Sequence, residues 1–189
     1  MARLRTFLGV DLGQSIRDRA VALQKDLARA AGTEVKWVEP ENLHATLLFL
    51  GEVDERQVPR VCQLVAQETA NHPAFEISVE TAGCFPNARR PRILWVGVGQ
   101  GSQELCALHD SLEQGLETLG FRREERRYTP HITLGRVKSE RPPDSLPAVL
   151  AQHAGWKGGE TTVQEVLVMS SQLTPRGPHY TVLSRARLG

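Results

Sequence analysis

Short apolar segments alternate along this chain with longer stretches in which apolar residues recur every three or four positions. The short segments predict β-strands, and the longer stretches predict amphipathic helices that bury one side. Their order is strand, helix, strand, strand, helix, strand, strand, helix, strand, helix, strand, strand. Several strands follow one another through short turns, which is typical of antiparallel pairing, so the pattern predicts an α+β fold.

The predicted strands are bounded by turns rich in proline, glycine and charged residues. They cover residues 4–12, 35–38, 43–53, 75–79, 93–98, 131–134, 163–170 and 180–188. A proline-rich loop over 141–143 precedes a short helix over 146–152, and a hairpin loop over 174–178 joins the last two strands. No linker rich in glycine or serine divides the chain.

The predicted helices have recognisable starts and ends. Ser15 is predicted to cap the first helix and Asp54 the second, because their side-chain oxygens can accept backbone N–H groups. Gly32 is predicted to end the first helix, and the clearest helix begins at Ser102 and ends at Gly120. The spacing predicts these inward-facing residues: Ile16, Ala20, Leu23, Leu27, Val58, Val61, Val65, Leu105, Leu108, Leu112, Leu116 and Leu119.

Two tripeptides of one design each open a predicted strand: His44-Ala45-Thr46 and His131-Ile132-Thr133. Residues i and i+2 of a strand share a face, so each tripeptide displays one imidazole beside one hydroxyl. If the two strands face each other, two histidines and two threonines converge. Such a group supplies an acid, a base and neutral hydrogen-bond donors for an anion, which suits cleavage of a phosphate ester.

The two halves of the chain are similar, and each contributes one of these strands. We interpret this as an ancient duplication. The most economical arrangement packs two antiparallel sheets together with helices outside and a cleft between the lobes on a pseudo-twofold axis. We therefore expect residues 1–189 to form a single bilobal domain with two intertwined lobes, acting as a monomer.

The composition is that of an ordinary globular protein. Of 189 residues, 40% are hydrophobic and 24% charged, which excludes a largely disordered chain. The net charge is only +1, so a broad field attracting nucleic acid is not expected, although local basic patches are compatible with it. Two such patches stand out, one at 89–92 and one at 122–127.

The cysteines and the N-terminal sequence bear on the cellular compartment that we expect for the protein. Cys62, Cys84 and Cys106 are odd in number and widely spaced, so the sequence indicates neither a disulfide framework nor a thiolate zinc site. We expect a reducing cytoplasm. Neither a signal peptide nor a membrane-spanning segment is predicted, and no cofactor or metal is expected.

Two longer segments carry a family resemblance. Residues 40–51, Pro-Glu-Asn-Leu-His-Ala-Thr-Leu-Leu-Phe-Leu-Gly, and residues 126–136, Arg-Arg-Tyr-Thr-Pro-His-Ile-Thr-Leu-Gly-Arg, resemble the two signatures of the 2H phosphoesterase superfamily. Within it the chain is most similar to the RNA 2′,3′-cyclic phosphodiesterases, also called 2′-5′ RNA ligases. The likeness runs from Arg5-Thr6-Phe7 to the segment ending at Tyr180.

This resemblance implies a bilobal fold and metal-independent hydrolysis of a terminal 2′,3′-cyclic phosphate to a 2′-phosphomonoester. In some members it also implies ATP-independent joining of tRNA fragments. His44 is implied as the proton donor and His131 as the proton acceptor, although chemistry alone leaves their order open. Thr46 and Thr133 are implied to donate hydrogen bonds to the non-bridging phosphate oxygens.

A guanidinium beside the second motif is expected to clamp the phosphate. Strand alternation from His131 favours Arg127, whereas the pattern of arginine, any residue and an aromatic before Pro130 in the family favours Arg126. Because proline makes the alternation unreliable, both remain candidates. A solvated run of charges is the alternative.

Aromatic residues are weaker candidates. Phe7 is placed by the family likeness where a ring can stack on a nucleotide base, and core packing is an equal alternative. Tyr180 and Trp37 are further stacking candidates for which core burial is favoured. His179 is expected to be an exposed loop residue.

Other functions compete with RNA cyclic phosphodiesterase activity. A metal hydrolase is disfavoured because no third ligand stands at metal spacing near either motif. A non-catalytic protein that binds RNA ends needs donors but not two proton carriers. A 2H phosphodiesterase acting on a small cyclic nucleotide is the other alternative.

Overall fold

The computed structural model describes residues 2–139, 143–175 and 177–189. In this part of the chain there are nine strands: β1 Arg3–Val10, β2 Val35–Trp37, β3 Ala45–Asp54, β4 Phe75–Phe85, β5 Ile93–Val98, β6 His131–Val137, β7 Lys157–Val163, β8 Glu165–Thr174 and β9 Gly177–Arg187. The four α-helices are α1 Gln14–Ala31, α2 Val58–Thr69, α3 Ser102–Glu117 and α4 Ser145–Gln152. A short 3₁₀ turn, Pro40–Asn42, lies between β2 and β3.

The strands form one curled sheet with two four-stranded halves. One half has the order β3–β1–β8–β9 and the other β6–β5–β4–β7, while β2 pairs with β6. Every pairing is antiparallel, and the two halves are joined by one residue pair, Ala45 with Ile132. The predicted α+β fold is therefore confirmed, and the two predicted sheets are the halves of this one sheet.

The helices cross from one half-sheet to the other. Helix α1 follows β1 but packs against β7 and α4, on the second half-sheet. Helix α3 follows β5 but packs against α2 and β3, on the first half-sheet. These crossings tie the halves together and support a single domain over residues 1–189, which stays a prediction.

The helix stripes predicted from the spacing form the core. The four predicted residues of α1 and four of the predicted leucines of α3, Leu105 to Leu116, are buried against the sheet. Val61 and Val65 of α2 are buried too, and Val58 is half-buried. Leu119 lies beyond the end of α3 and still packs against the core. Full burial of each leucine, isoleucine or valine among them contributes about 1.5–3 kcal/mol.

Both predicted helix caps are wrong. Helix α1 begins at Gln14 after Gly13, whose φ of 73° is easily reached by glycine, and Ser15 lies inside the helix. Asp54 lies before the turn that leads into α2, where its carboxylate accepts hydrogen bonds from the backbone and guanidinium of Arg56. The turns before these helices, and not side-chain caps, set their first residues.

The sequence pattern also misses one strand and misjudges two boundaries. Strand β7 has two glycines and mostly polar residues, so it shows no alternation, yet it pairs with β4 as an edge strand. Strand β4 runs on to Phe85 past an irregularity beside Thr81, whose φ is 64°. In the last hairpin Thr174 pairs with Gly177, so the two strands extend into the predicted loop over 174–178.

Residues 140–142, which include most of the predicted loop over 141–143, and residue 176 of the predicted hairpin loop lie outside the described residues. Among the described helices none has the length and apolar character needed to cross a membrane. The three cysteines are free and half-buried.

Candidate active site

The two His-x-Thr tripeptides meet where β3 of one half-sheet adjoins β6 of the other, and we call this junction the seam. The residue pair that joins β3 to β6 is Ala45 with Ile132, the middle residue of each tripeptide. Both side chains are 0% exposed and belong to the core. Because side chains alternate along a strand, the outer residues of both tripeptides project to the opposite face of the sheet.

The antiparallel direction of this pair determines which residues are neighbours. His44 lies across from Thr133, and Thr46 lies across from His131. All four side chains are half-buried, so they remain accessible at the seam. The structure thus brings together the two histidines and two threonines that the sequence pattern selected.

Each histidine ring is held by the same backbone contact. Nδ1 of His44 donates to the carbonyl of Asn42 at 2.6 Å, and Nδ1 of His131 donates to the carbonyl of Thr129 at 2.7 Å. A carbonyl oxygen can only accept, so the proton lies on Nδ1 in the neutral ring. Nε2 of both rings is therefore the nitrogen that exchanges protons.

The environment of His44 favours its neutral form. Burial lowers the pKa of His44, the contact with the Asn42 carbonyl opposes this, and the charge of Arg17 adds to the lowering while Asp11 opposes it. Nε2 of His44 is 2.8 Å from Oγ1 of Thr46. In the neutral ring Nε2 is an acceptor, so the Thr46 hydroxyl donates to it.

Aromatic rings surround both histidines. The His44 ring centroid lies 5.1 Å from that of Phe7 and 5.4 Å from that of Tyr180, which meets it edge-on. The His131 ring meets Phe85 edge-on at 5.1 Å. Phe85 was not anticipated, because the strand carrying it was predicted to end at Val79.

Of the two interpretations of Phe7, the structure favours core packing. Phe7 is 2% exposed, and its ring packs between His44, Tyr180 and Phe49. A ring buried to this extent cannot stack on a base. Tyr180 is half-buried, Trp37 is half-buried against the core, and His179 is exposed on β9.

The two arginines predicted to clamp the phosphate lie in the exposed loop before β6. Within the described residues, neither Arg126 nor Arg127 makes a hydrogen bond or ion pair with the motif residues. The charge of Arg127 acts on Cys106 of α3, where it opposes the rise in the thiol pKa caused chiefly by burial. Their phosphate contact stays a prediction.

Arg136 is a site residue that strand alternation missed. Simple alternation from Thr133 would direct Arg136 into the core. The β5–β6 pairing shifts register between the pairs Trp95–Thr133 and Leu94–Gly135. Beyond this irregularity Arg136 is exposed while Val137 is buried. The extra residue returns Arg136 to the face that carries Thr133.

A second arginine approaches the same cluster. The charges of Arg136 and Arg5 both lower the pKa of Tyr180 against the larger opposing effect of burial. Tyr180 contacts His44. The charges of two exposed guanidinium groups, one from each half-sheet, therefore act on the tyrosine that contacts His44.

Tyr128 ties the loop before β6 to the opposite motif. Its hydroxyl donates to the backbone carbonyl of Thr46 at 3.0 Å. Its ring stacks on the buried His109 of α3, with centroids 4.3 Å apart and planes 1° from parallel. Both motifs are thus held by one side chain in addition to their backbone pair.

The donors at the seam are nitrogen and hydroxyl groups. In the part of the chain that the structure describes, no three His, Cys, Asp or Glu side chains lie together as a metal site requires.

Comparison with known families agrees with this geometry. A family model described as the 2′-5′ RNA ligase superfamily matches residues 15–175. The chain belongs to the 2′-5′ RNA ligase superfamily. This membership confirms the resemblance drawn from the two His-x-Thr segments.

Individual relatives and solved structures match over nearly their full length. An RNA 2′,3′-cyclic phosphodiesterase of Methanothermobacter thermautotrophicus is 40% identical over 186 residues, covering 98% of this chain and 100% of the relative. A crystal structure of a Thermus thermophilus protein has a TM-score of 0.83 at 29% identity, covering 98% of both chains. Escherichia coli LigT complexed with 3′-AMP has a TM-score of 0.78 at 26% identity, also covering 98% of both.

Proposed function

We propose that this protein is an RNA 2′,3′-cyclic phosphodiesterase that hydrolyses a terminal cyclic phosphate to a 2′-phosphomonoester. The observation that carries this proposal is the Ala45–Ile132 pair, which gathers two imidazoles and two threonine hydroxyls at one seam. The name of the Methanothermobacter relative and its full-length match support the same activity.

In the proposed reaction each of the two histidines carries out one proton transfer. Nε2 of His131 accepts a proton from water, and the resulting hydroxide attacks phosphorus. The bond between phosphorus and O3′ breaks, and Nε2 of His44 gives its proton to the leaving O3′. The product has a 2′-phosphate and a free 3′-hydroxyl, and proton exchange with water restores both rings.

The remaining groups at the seam hold the phosphate. In the reacting form Nε2 of His44 is protonated and no longer accepts from the Thr46 hydroxyl. The hydroxyls of Thr46 and Thr133 then donate to the non-bridging oxygens, whose charge increases in the transition state. The guanidinium of Arg136 supplies a positive charge on the same face. Arg126 and Arg127 remain candidates for contact with phosphates farther along the RNA.

A direct assay tests the proposal. The purified protein is incubated with an oligoribonucleotide that ends in a 2′,3′-cyclic phosphate, and the position of the phosphate in the product is determined. We expect a 2′-monophosphate. A protein that binds this end without turnover would be a non-catalytic RNA-end-binding protein, and a 3′-monophosphate would contradict the assigned leaving group.

The same site accommodates two related activities. If a 5′-hydroxyl replaces water as the nucleophile, the step joins two RNA ends through a 2′-5′ bond, and tRNA fragments are the substrates that we propose for it. A small cyclic nucleotide is the alternative substrate for hydrolysis. We expect the protein to act as a monomer in a reducing cytoplasm.

Metal removal gives the first specific prediction. Since the two imidazoles supply both acid and base, we expect protein treated with EDTA to keep its hydrolysis rate. The measurement compares initial rates before and after chelation, with EDTA-treated protein given back Mg²⁺, Mn²⁺ or Zn²⁺ as the control. A rate that is lost on chelation and restored by a metal would refute the two-histidine mechanism.

The pH dependence follows from the lowered pKa of His44. Donation requires the protonated ring, so the rate falls as pH rises through that pKa. A bound phosphate is negative and favours the protonated ring, which raises the pKa again. We therefore expect a bell-shaped profile whose alkaline limb lies at higher pH for kcat, which reports the complex, than for kcat/KM, which reports the free enzyme.

The measurement determines kcat and kcat/KM as a function of pH across the range in which histidines titrate. Each limb belongs to the coupled pair of rings and not to one residue. Alkaline limbs that coincide would show that substrate does not change the proton affinity of the donor.

A further inference from the structure

Three large apolar side chains are strongly exposed in the described part of the chain. Phe49 is 58%, Leu173 71% and Val182 41% exposed. All three belong to the half-sheet β3–β1–β8–β9, one on each of the strands β3, β8 and β9. The strongly exposed apolar side chains of the described residues are therefore concentrated on one half-sheet.

The strand register places two of them in one row. Phe7 pairs with Phe49 on one side and with Met169 on the other, and Met169 pairs with Val182. Phe7 and Met169 are buried in a small cluster with Leu167, separate from the main core. The row therefore crosses four strands, with exposed apolar groups at both ends.

This row lies on the side of the sheet that bears the catalytic residues. Leu48 and Val168, the chain neighbours of Phe49 and Met169, belong to the main core beneath the helices. Alternation turns the row to the other side, where Phe7 and Tyr180 contact His44. Leu173 follows Met169 by four residues on β8 and shares its face. We call this surface of Phe49, Leu173, Tyr180 and Val182 the open face.

Two contacts connect the open face with the seam. Pro178, which pairs with Leu173, accepts a hydrogen bond from Nδ2 of Asn42 at 2.8 Å. Asn42 is also the residue whose carbonyl holds the His44 ring. The hairpin that carries Leu173 and Pro178 is thus anchored beside His44.

Positive charge borders the open face. Arg5 pairs with Ser171, and Ser171 pairs with Tyr180, so Arg5 lies in the adjacent row. Its charge and that of Arg136 both reach Tyr180. An exposed ring and exposed apolar groups beside guanidinium groups form a combination that binds single-stranded nucleic acid, through base stacking and phosphate contacts.

We propose that the open face binds the nucleotides that precede the cyclic phosphate in a single-stranded RNA. The inference rests on the proposed function and specifies its substrate. Phe49 stacks on one base, while Val182 and Leu173 contact neighbouring bases. Aromatic side chains on a four-stranded sheet can carry about two or three bases in this way.

The proposal predicts that an oligonucleotide is a better substrate than a mononucleotide. The test measures kcat/KM for an oligoribonucleotide ending in 2′,3′-cyclic AMP and for 2′,3′-cyclic AMP itself, at one ionic strength. Their ratio is independent of the fraction of folded protein. We expect a wild-type ratio above about ten, since stacking on an aromatic ring is worth about that factor or more per base.

Two variants and one control locate the effect. Phe49→Ala should lower the ratio about tenfold, the contribution of one stacked base. The double variant Leu173→Ser/Val182→Ser removes apolar contacts with the bases and should also lower the ratio. Thr181→Ser changes an exposed residue between Tyr180 and Val182 that faces the opposite side, and it should leave the ratio unchanged.

A ratio near one in the wild type, or equal ratios in all variants, would overturn the inference and leave the proposed function standing. Wild-type protein that turns over neither substrate would overturn the proposed function, and the inference with it. The alternative occupant of the open face is a second copy of the protein, and sedimentation velocity tests it. A wild-type dimer that dissociates in the double variant would identify the open face as a self-interface and overturn RNA binding there.

Discussion

We expect His44→Ala and His131→Ala each to lower kcat by about 10²–10⁴, the usual contribution of a positioned acid or base. Each ring presents Nε2 because Nδ1 is fixed by a backbone carbonyl two residues earlier. Alanine removes the proton carrier and leaves the strand pairing between Ala45 and Ile132 intact. Single-turnover rates with an oligoribonucleotide bearing the cyclic end provide the measurement.

The double variant distinguishes concerted action from independent effects. Because both rings act in one step, the loss in His44→Ala/His131→Ala should be far smaller than the product of the single losses. His72→Ala is the matched control, since His72 lies in the turn after α2 and away from the seam. If either single variant kept the wild-type rate, that ring would not be an acid or base.

The second large effect is expected from the hydroxyls. Thr46→Val and Thr133→Val keep a β-branched side chain in the strand and remove one donor each. Loss of a transition-state donor costs about 10²–10³ in kcat. Thr46→Val has an added consequence, because Nε2 of His44 loses its partner at 2.8 Å.

Kinetics and folding are measured together for these variants. Thr162→Val on the edge strand β7 is the control for replacing an exposed strand threonine. We expect unchanged circular dichroism, a lower kcat for both site variants and wild-type kinetics for the control. Folded Thr46→Val and Thr133→Val proteins with wild-type rates would show that the threonines are structural.

Local patterns in the sequence were sufficient for much of this molecule. The period of the apolar residues predicted the four helices that the structure describes, because a buried stripe is encoded by residues three and four positions apart. The same reasoning selected the four motif residues, since residues two apart on a strand share a face. The motifs themselves carried enough information to indicate the family.

Features that depend on pairing between distant segments could not be obtained in this way. The single Ala45–Ile132 pair decides that the motifs face each other, and it joins strands far apart in the chain. The irregularity after Thr133 decides that Arg136 reaches the catalytic face, against simple alternation. Strand β7 exists because β4 offers it backbone partners, although its own residues show no alternation.

Burial was likewise decided by tertiary packing. The sequence left base stacking and core packing open for Phe7, and the rings of His44, Tyr180 and Phe49 close over it. In the sequence Phe49 is an ordinary strand residue. In the structure it lies on the face of the sheet opposite the helices and stays exposed. By itself the sequence determined which residues share a strand face, because that is a local property. Only the tertiary structure decided which faces meet and which stay open, because strand register and helix crossings depend on contacts across the whole chain.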